Sequence, residues 1–152
     1  MKISILLPYK ENFSSKYAGA VSLFVKDTIS NSKFAKTSFV FGSMPYKKAF
    51  LKNYINIDLE RSILQSNSKN YVSKFLEKEK KINSDIIEIH NRPNYIQFLK
   101  EVDNKKIILY FHNDPLSMNG SSTVGDRIKL LNKIDKILFN SKWSQERFFI
   151  GI

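Results

Sequence analysis

Two short apolar runs, each followed directly by polar residues, dominate the hydrophobic pattern of the chain. They cover residues 107–111 and 136–139. Continuous apolar runs of about five residues are typical of strands buried on both faces of a parallel sheet. Between the runs, Ile128, Leu131 and Ile134 follow helical spacing and predict a helix over residues 126–134. A strand, a helix and a strand within about 35 residues predict a βαβ unit.

The same alternation of apolar runs and helical stripes extends over the rest of the chain. Further strands are predicted at residues 2–7, 37–41, 54–57 and 85–89, and further helices at residues 21–29, 69–82, 93–102 and 142–149. Ser68 and Ser141 are candidate N-caps for two of these helices, and Pro93 suits a first helical turn. This order predicts an α/β fold, a Rossmann-like three-layer domain with a mainly parallel sheet of about six strands.

Length and composition indicate a folded, single-domain protein. Its 152 residues correspond to one domain, and a 42% hydrophobic content is too high for a disordered chain. The absence of cysteine excludes a disulfide framework and a thiolate metal site. No apolar run approaches the 18 or so residues of a transmembrane helix, and no signal peptide is recognisable. These features favour a cytoplasmic location.

The chain is strongly basic, with a formal net charge of +11. Such a charge favours phosphate-bearing partners: nucleic acid, anionic lipid or nucleotide-linked substrates. The lysines are spread along the chain, and neither an arginine-rich arm nor an aromatic-basic RNA motif is present. The lysine-rich codon usage of an AT-rich genome explains the charge equally well.

Polar clusters follow the predicted strands at their carboxyl ends, where parallel sheets bind ligands. They comprise His90, Asn91 and Arg92 after one strand, His112, Asn113 and Asp114 after the next, and Ser141 after the last. Gly19, at the entrance to the first helix, would let a ligand phosphate approach the backbone.

Each of these residues also has a purely structural interpretation. His112 can hydrogen-bond a sugar hydroxyl or simply cap its strand. Arg92 can pair with a phosphate or acidic sugar, or order a turn. Asp114, followed by a proline, can order its loop through side-chain to backbone bonds, and Ser141 can act only as a helix cap.

Other kinds of site are not indicated. The histidines and Asp114 lack close ligand spacing, so no metal site is predicted. There is no Ser/His/Asp arrangement and no phosphate loop of the GxxxxGK[ST] type.

The order of these elements resembles the N-terminal domain of a GT-B glycosyltransferase, and is most similar to retaining family 4. Within that family, the sub-group that builds lipopolysaccharide and related surface glycans is the most similar. The matching segments are residues 3–8, Gly19, residues 85–93, residues 111–114 and residues 135–143. They extend over nearly the whole chain, and their order and spacing carry the resemblance. The family often has paired glycines in the first loop, where this chain reads Ala18-Gly19-Ala20.

The resemblance implies a metal-independent hexosyltransferase-type enzyme that moves a sugar from a nucleotide-sugar to a saccharide or lipid-linked acceptor. By the same resemblance His112 is the catalytic contact to the donor sugar, or a general base if the enzyme inverts configuration. The implied acceptor contacts are His90, Asn91, Arg92, Asn113 and Asp114, and the implied donor contacts are Gly19 and Ser141.

Such enzymes hold most of the nucleotide-sugar in a second Rossmann-like domain. Residues 1–152 match only the acceptor-side domain, so we expect the C-terminal donor-binding domain to be absent and the isolated chain to be inactive. Peripheral attachment to the anionic inner face of the membrane is an accompanying expectation, and no nucleic-acid partner is expected. The alternatives are a non-catalytic Rossmann-like module that binds an anionic ligand or a partner protein, and a basic nucleic-acid binder.

Overall fold

A computed structural model describes residues 1–59, 66–99, 102 and 104–152. Its six strands form one sheet with the order β3-β2-β1-β4-β5-β6, and all neighbouring strands are parallel. The strands are β1 (Ile3–Leu6), β2 (Ser38–Gly42), β3 (Tyr54–Asn56), β4 (Ile86–His90), β5 (Lys106–Phe111) and β6 (Lys136–Phe139). The predicted α/β fold with a Rossmann-like parallel sheet is therefore confirmed.

Four α-helices connect or follow these strands. They are α1 (Ala20–Ser30), α2 (Asn67–Ile82), α3 (Val124–Lys133) and α4 (Lys142–Phe149), with short 3₁₀ helices at Ala35–Thr37, Pro93–Phe98 and Pro115–Ser117. The N-cap of α2 is Ser66, whose hydroxyl accepts from the Lys69 amide, so the prediction of Ser68 as the cap was wrong. Ser141 does cap α4, as predicted, by accepting from the Ser144 amide.

The helices cover the two faces of the sheet unequally. Helix α1 packs on the smaller core, which contains Ile5, Leu7, Val21, Val25, Ile29 and Val40. The larger core on the other face combines strand residues with side chains from α2, the 3₁₀ helix Pro93–Phe98, α3 and α4. Phe41 and Phe75 meet there edge to face, with ring centres 4.9 Å apart. The three-layer order is thus complete over β1, and the helices after β4 all contribute to the larger core.

This imbalance corrects the expectation that β5 and β6 are buried on both faces. In β5, Ile107, Leu109 and Phe111 are buried, whereas Ile108 and Tyr110 are only half-buried. In β6, residues 137–139 are half-buried throughout, since this strand lies at the edge of the sheet. The α1 side of β5 and β6 is therefore partly open.

The predicted helix between β5 and β6 is confirmed as α3, but most of its apolar spacing does not face the core. Ile128 and Leu131 are 44% and 40% exposed, while Arg127 and Leu130 point inward. The buried Arg127 guanidinium donates to the carbonyl oxygens of Ser121, at 3.1 Å, and Ile150, at 2.6 Å. These bonds tie α3 to the preceding loop and to the end of α4, and they set its rotation against the hydrophobic pattern.

The segment after β4 also differs from its prediction. Instead of an α-helix over residues 93–102, a 3₁₀ helix ends at Phe98 and Leu99 is already extended. The Tyr95 hydroxyl accepts from the Tyr9 amide at 3.0 Å, which holds this short helix against the loop after β1. Residues 100, 101 and 103 of the predicted helix lie outside the described residues.

The strand order locates a crevice. The chain moves outward from β1 to β2 on one side and continues with β4 on the other, so the order reverses between β1 and β4. In open parallel sheets such a switch point, at the carboxyl ends of the strands, is where ligands bind. None of the helices in the described part of the chain combines the length and apolar character that crossing a lipid bilayer requires.

Candidate functional site

Three side chains form a hydrogen-bonded row on the α1 side of the sheet, beside the switch point. We call Glu88, His90 and His112 the histidine cluster. The Nε2 atom of His90 lies 2.6 Å from Glu88 Oε1, and its Nδ1 atom lies 2.8 Å from His112 Nε2. Glu88 and His90 share a face of β4 because side chains alternate along a strand. The structure thus brings together the two histidines, which the sequence placed after neighbouring strands.

Aromatic rings frame the outer end of this row. The His112 ring stacks on Tyr110 with centres 4.5 Å apart, and the edge of Phe24 from α1 approaches it at 5.0 Å. Phe24 also contacts His90, at 6.2 Å. Glu88 and His90 line a cavity of about 60 Å³ beneath α1. The His112 ring is therefore held by packing as well as by its bond to His90.

The backbone of His112 is fixed from both neighbouring strands. Its amide donates to Asn91 Oδ1 at 3.2 Å, and its carbonyl accepts from Asn140 Nδ2 at 2.6 Å. Asn91 adopts a left-handed φ of 56°, which asparagine tolerates better than most residues. Since Asn91 is 6% exposed and its side-chain oxygen is bound to His112, it acts here as a support. The predicted acceptor contact by Asn91 is not what this geometry favours.

The two histidines differ in exposure and in chemistry. His90 is fully buried and both of its ring nitrogens are hydrogen-bonded, so direct contact with an acceptor, as predicted, is not available to it. His112 is half-buried, and no described residue hydrogen-bonds its Nδ1 atom. Burial, and next the charge that His90 can carry, lower the pKa of His112 from 6.5 to about 4, against the opposing effect of Glu88. His112 is therefore neutral near pH 7.

Arg92 lies on the other side of the crevice, among tyrosines. Its Nη1 atom donates to the Asn91 carbonyl at 2.7 Å, and the side chain is half-buried. It also hydrogen-bonds Tyr95, which lowers the pKa of that phenol against the larger, raising effect of burial. Arg92 thus keeps part of its guanidinium accessible near the switch point, and a role in anion or acceptor contact remains a proposal.

Both carboxylate oxygens of Asp114 are hydrogen-bonded within the protein. Its Oδ2 and Oδ1 atoms lie 2.8 and 3.2 Å from the Nη2 and Nε atoms of Arg147. Oδ1 also accepts from the Leu116 amide, which is the loop-ordering role that its sequence context predicted. The bond to Arg147 is the main reason that the pKa of Asp114 lies below its ordinary value. Asn113 is exposed, and its carbonyl accepts from Ser144 Oγ at 3.4 Å.

The predicted donor contacts have structural partners as well. At Gly19 the space that a Cβ atom would need is filled by Oε1 of Glu11. The same oxygen accepts from the Ser22 amide at 3.2 Å, at the amino end of α1. A donor phosphate at Gly19 would have to displace this carboxylate, so Gly19 does not offer the open phosphate contact that was predicted. Ser141 is exposed and caps α4.

Sequence reasoning missed Glu88, Phe24, Asn140 and Glu11. Glu88 had a visible signal, an acidic residue inside an apolar strand and two positions before His90, which puts both on one face. The other three depend on which elements become neighbours in the fold. Within the described residues no group of three His, Cys, Asp or Glu side chains is placed to hold a metal ion.

Comparison of the sequence with models of known protein families gives no match, and comparison with curated proteins gives none either. The function of this Rossmann-like domain must therefore be argued from the geometry of the histidine cluster and its surroundings.

Proposed function

We propose that this chain is the acceptor-side domain of a GT-B-type glycosyltransferase, which moves a sugar from a nucleotide-sugar to a saccharide or lipid-linked acceptor in surface glycan synthesis. The observation that carries the proposal is the setting of His112. It is a neutral, half-buried imidazole at the carboxyl edge of a parallel sheet, and its backbone is fixed by Asn91 and Asn140. The reaction needs no metal ion and no cofactor besides the donor substrate.

A rigid, neutral imidazole suits sugar chemistry. It can exchange a hydrogen bond with a sugar hydroxyl without the strong hydration of a charged side chain. Polar groups that are fixed in advance stabilise the charge that develops during glycosyl transfer better than mobile ones. In a retaining reaction His112 contacts the donor sugar, and in an inverting reaction it accepts the proton of the acceptor hydroxyl.

The closed amino end of α1 argues against a self-contained nucleotide-binding module. In dinucleotide-binding Rossmann domains the pyrophosphate lies at the start of the helix after the first strand. Here Glu11 occupies that position, with its carboxylate on the Ser22 amide. A negatively charged carboxylate there repels a phosphate. The diphosphate of a donor is therefore held mainly by a second domain, which is the arrangement of a GT-B enzyme.

An exposed apolar stripe offers a surface for such a domain. Val124, Ile128 and Leu131 lie on one side of α3 and are 39%, 44% and 40% exposed. Gly151 lies against Val124, so the exposed Ile150 and Ile152 adjoin this stripe. Contiguous exposed apolar surface is typical of protein interfaces and not of a module that covers itself.

The binding step can be tested on the chain as it is. Titration of the ¹⁵N-labelled chain with neutral saccharides and nucleotide-sugars should perturb the ring signals of His112, and His112→Ala should abolish saccharide binding. Asp114→Asn is the matched control, because it removes the charge of a side chain in the same loop that is bound to Arg147. We expect no sugar transfer by the chain alone.

Two outcomes would count against the proposal. Saccharide binding that survives in His112→Ala would separate the site from this histidine. Tight binding of a nucleoside diphosphate to the chain alone, with perturbed amides at the start of α1, would instead support the alternative, a non-catalytic module for an anionic ligand.

A basic aromatic surface at the same edge of the sheet supports attachment to an anionic membrane. Tyr17 is 82% exposed, its ring lies 6.2 Å from that of Tyr46, and the Lys16 ammonium lies 5.9 Å from the Tyr46 ring centre. Lys47 and Lys48 follow in the same loop and are exposed. Basic residues near an anionic leaflet contribute about 1 kcal/mol each, and tyrosine favours the interface.

Vesicle flotation tests this attachment. Lys47→Glu/Lys48→Glu should weaken recovery with anionic vesicles at low salt, whereas Lys80→Glu/Lys81→Glu on α2 changes the net charge equally and should not. Equal loss in both double variants would mean that total charge, and not this surface, governs binding.

A further inference from the structure

The histidine cluster contains a fixed order of hydrogen bonds whose direction can be worked out. Its inner end is the carboxylate of Glu88, 21% exposed, and its outer end is His112. Between them lies His90, which is fully buried and bonded at both ring nitrogens. In such a row, the hydrogen-bonding state of the first side chain determines which ring nitrogens of the next two side chains carry a proton.

The carboxylate determines where each proton lies. An ionised carboxylate only accepts hydrogen bonds, so His90 must carry a proton on Nε2, which faces Glu88 at 2.6 Å. A neutral imidazole has one N–H, so Nδ1 of His90 is then bare and must accept. Its partner at 2.8 Å, Nε2 of His112, must therefore be the donor. This leaves Nδ1 of His112 as a bare acceptor without a partner among the described residues.

We propose that Glu88, acting through His90, holds His112 in the tautomer with its proton on Nε2, and thereby presents Nδ1 as an acceptor for a substrate hydroxyl. Glu88 and His90 are positioning residues, and His112 makes the contact. That the ligand is a sugar hydroxyl rests on the proposed function, whereas the tautomer is a property of the chain itself. The arrangement selects against a phosphodiester or carbonyl ligand at this atom, because neither has a proton to donate.

The low pKa of His112, about 4, agrees with this order. Burial disfavours the imidazolium form of the outer ring, and a charge on His90 disfavours it further.

Imidazole NMR tests the tautomer directly and needs no ligand. The chain has 2 histidines, so long-range ¹H–¹⁵N spectra of a histidine-labelled sample contain only four ring-nitrogen signals, and His112→Ala assigns them. At about pH 8 we expect the His112 Nε2 signal at a protonated position and its Nδ1 signal at a bare one.

The variant Glu88→Gln removes the negative charge of the carboxylate and keeps the size and shape of the side chain. A glutamine amide can donate as well as accept, so it permits both directions of the row. The two His112 nitrogen signals should then converge toward the average of both tautomers. Glu88→Asp retains the acceptor and should keep the order in part, and Glu77→Gln, at an exposed position on α2, should leave the signals unchanged.

Two results would overturn the proposal. They are a wild-type His112 with its proton on Nδ1 at about pH 8, and unchanged His112 signals in Glu88→Gln. The wild-type spectra decide even if Glu88→Gln does not fold. A fixed tautomer without saccharide binding would reject the proposed substrate and keep the tautomer.

Discussion

Two polar clusters lie at the carboxyl edge of the sheet, and they differ in how completely the protein satisfies them. In the pair Asp114–Arg147, both carboxylate oxygens are bound to the guanidinium, at 2.8 and 3.2 Å, and the guanidinium lies 5.5 Å from the Trp143 ring centre. In the histidine cluster, the bonds run from Glu88 to His112 and stop at its Nδ1 atom, which no residue in the described part of the chain hydrogen-bonds. Among the described residues the first cluster is therefore closed, and the second is open at one end.

This difference in hydrogen bonding distinguishes a structural cluster, Asp114–Arg147, from a candidate ligand-binding site, the histidine cluster. Buried polar groups in proteins are nearly all hydrogen-bonded, and a group at a cleft that the protein leaves unbound is available to a ligand. Asp114 and His112 stand two residues apart in the sequence, and the resemblance implied a substrate contact for each. They differ in whether their hydrogen-bonding atoms already have partners among the described residues. The variants below test whether this difference distinguishes a structural residue from a ligand contact.

The largest expected effect concerns turnover. In a preparation supplied with a donor-holding domain, His112→Ala should lower kcat by roughly 10²–10³, because it removes a preorganised contact to the reacting sugar. Asp114→Asn should change kcat only slightly. Steady-state kinetics with both variants measures the contrast, and thermal unfolding checks that His112→Ala remains folded. If the two variants lose turnover equally, the contrast between open and closed clusters has no functional meaning.

The next effect is the pH dependence of stability, which should differ between the clusters. The pKa of His112 in the folded chain, about 4, lies below its ordinary 6.5, so the unfolded chain binds the proton first as the pH falls. The contribution of His112 to the free energy of unfolding is therefore fully present above pH 6.5 and is lost between pH 6.5 and 4. The full shift corresponds to roughly 3 kcal/mol, and partial exposure of the ring reduces this to on the order of 1–2 kcal/mol.

Asp114 should act in a separate window. Its bond to Arg147 lowers its pKa below the ordinary 3.8, so its contribution persists above that value and is lost only as the pH falls further, through the folded pKa. Denaturant unfolding at a series of pH values should show the first decline reduced in His112→Ala and retained in Asp114→Asn. Because the histidines are coupled, the first slope belongs to the pair. A decline that is the same in wild type and His112→Ala would contradict the burial of this ring.

The fold was more predictable than the satisfaction of its polar groups. Apolar runs closed by polar residues are a local signal, and the parallel sheet they predict is confirmed. The rotation of α3 does not follow from its apolar spacing, because Arg127 bonds a carbonyl that lies 23 residues later. The contact between His90 and His112 spans 22 residues, and no local pattern reports which ring nitrogens meet. The sequence thus indicated which residues lie at the carboxyl edge of the sheet. Only the packing shows which of their hydrogen-bonding atoms are available to a ligand.

The smallest effect extends the comparison to a second closed group, Glu11 at the start of α1. Its carboxylate accepts from the Ser22 amide and faces the positive end of the helix dipole. Glu11→Gln keeps an acceptor and removes the charge, so the free energy of unfolding should fall by about 0.3–1 kcal/mol. Glu77→Gln, in an exposed pair with Lys74, should change it less. Denaturant unfolding measures both variants, and saccharide binding should be the same in both. If Glu11→Gln instead alters saccharide binding and leaves stability unchanged, Glu11 belongs to the open site and the division between the two kinds of cluster is drawn in the wrong place.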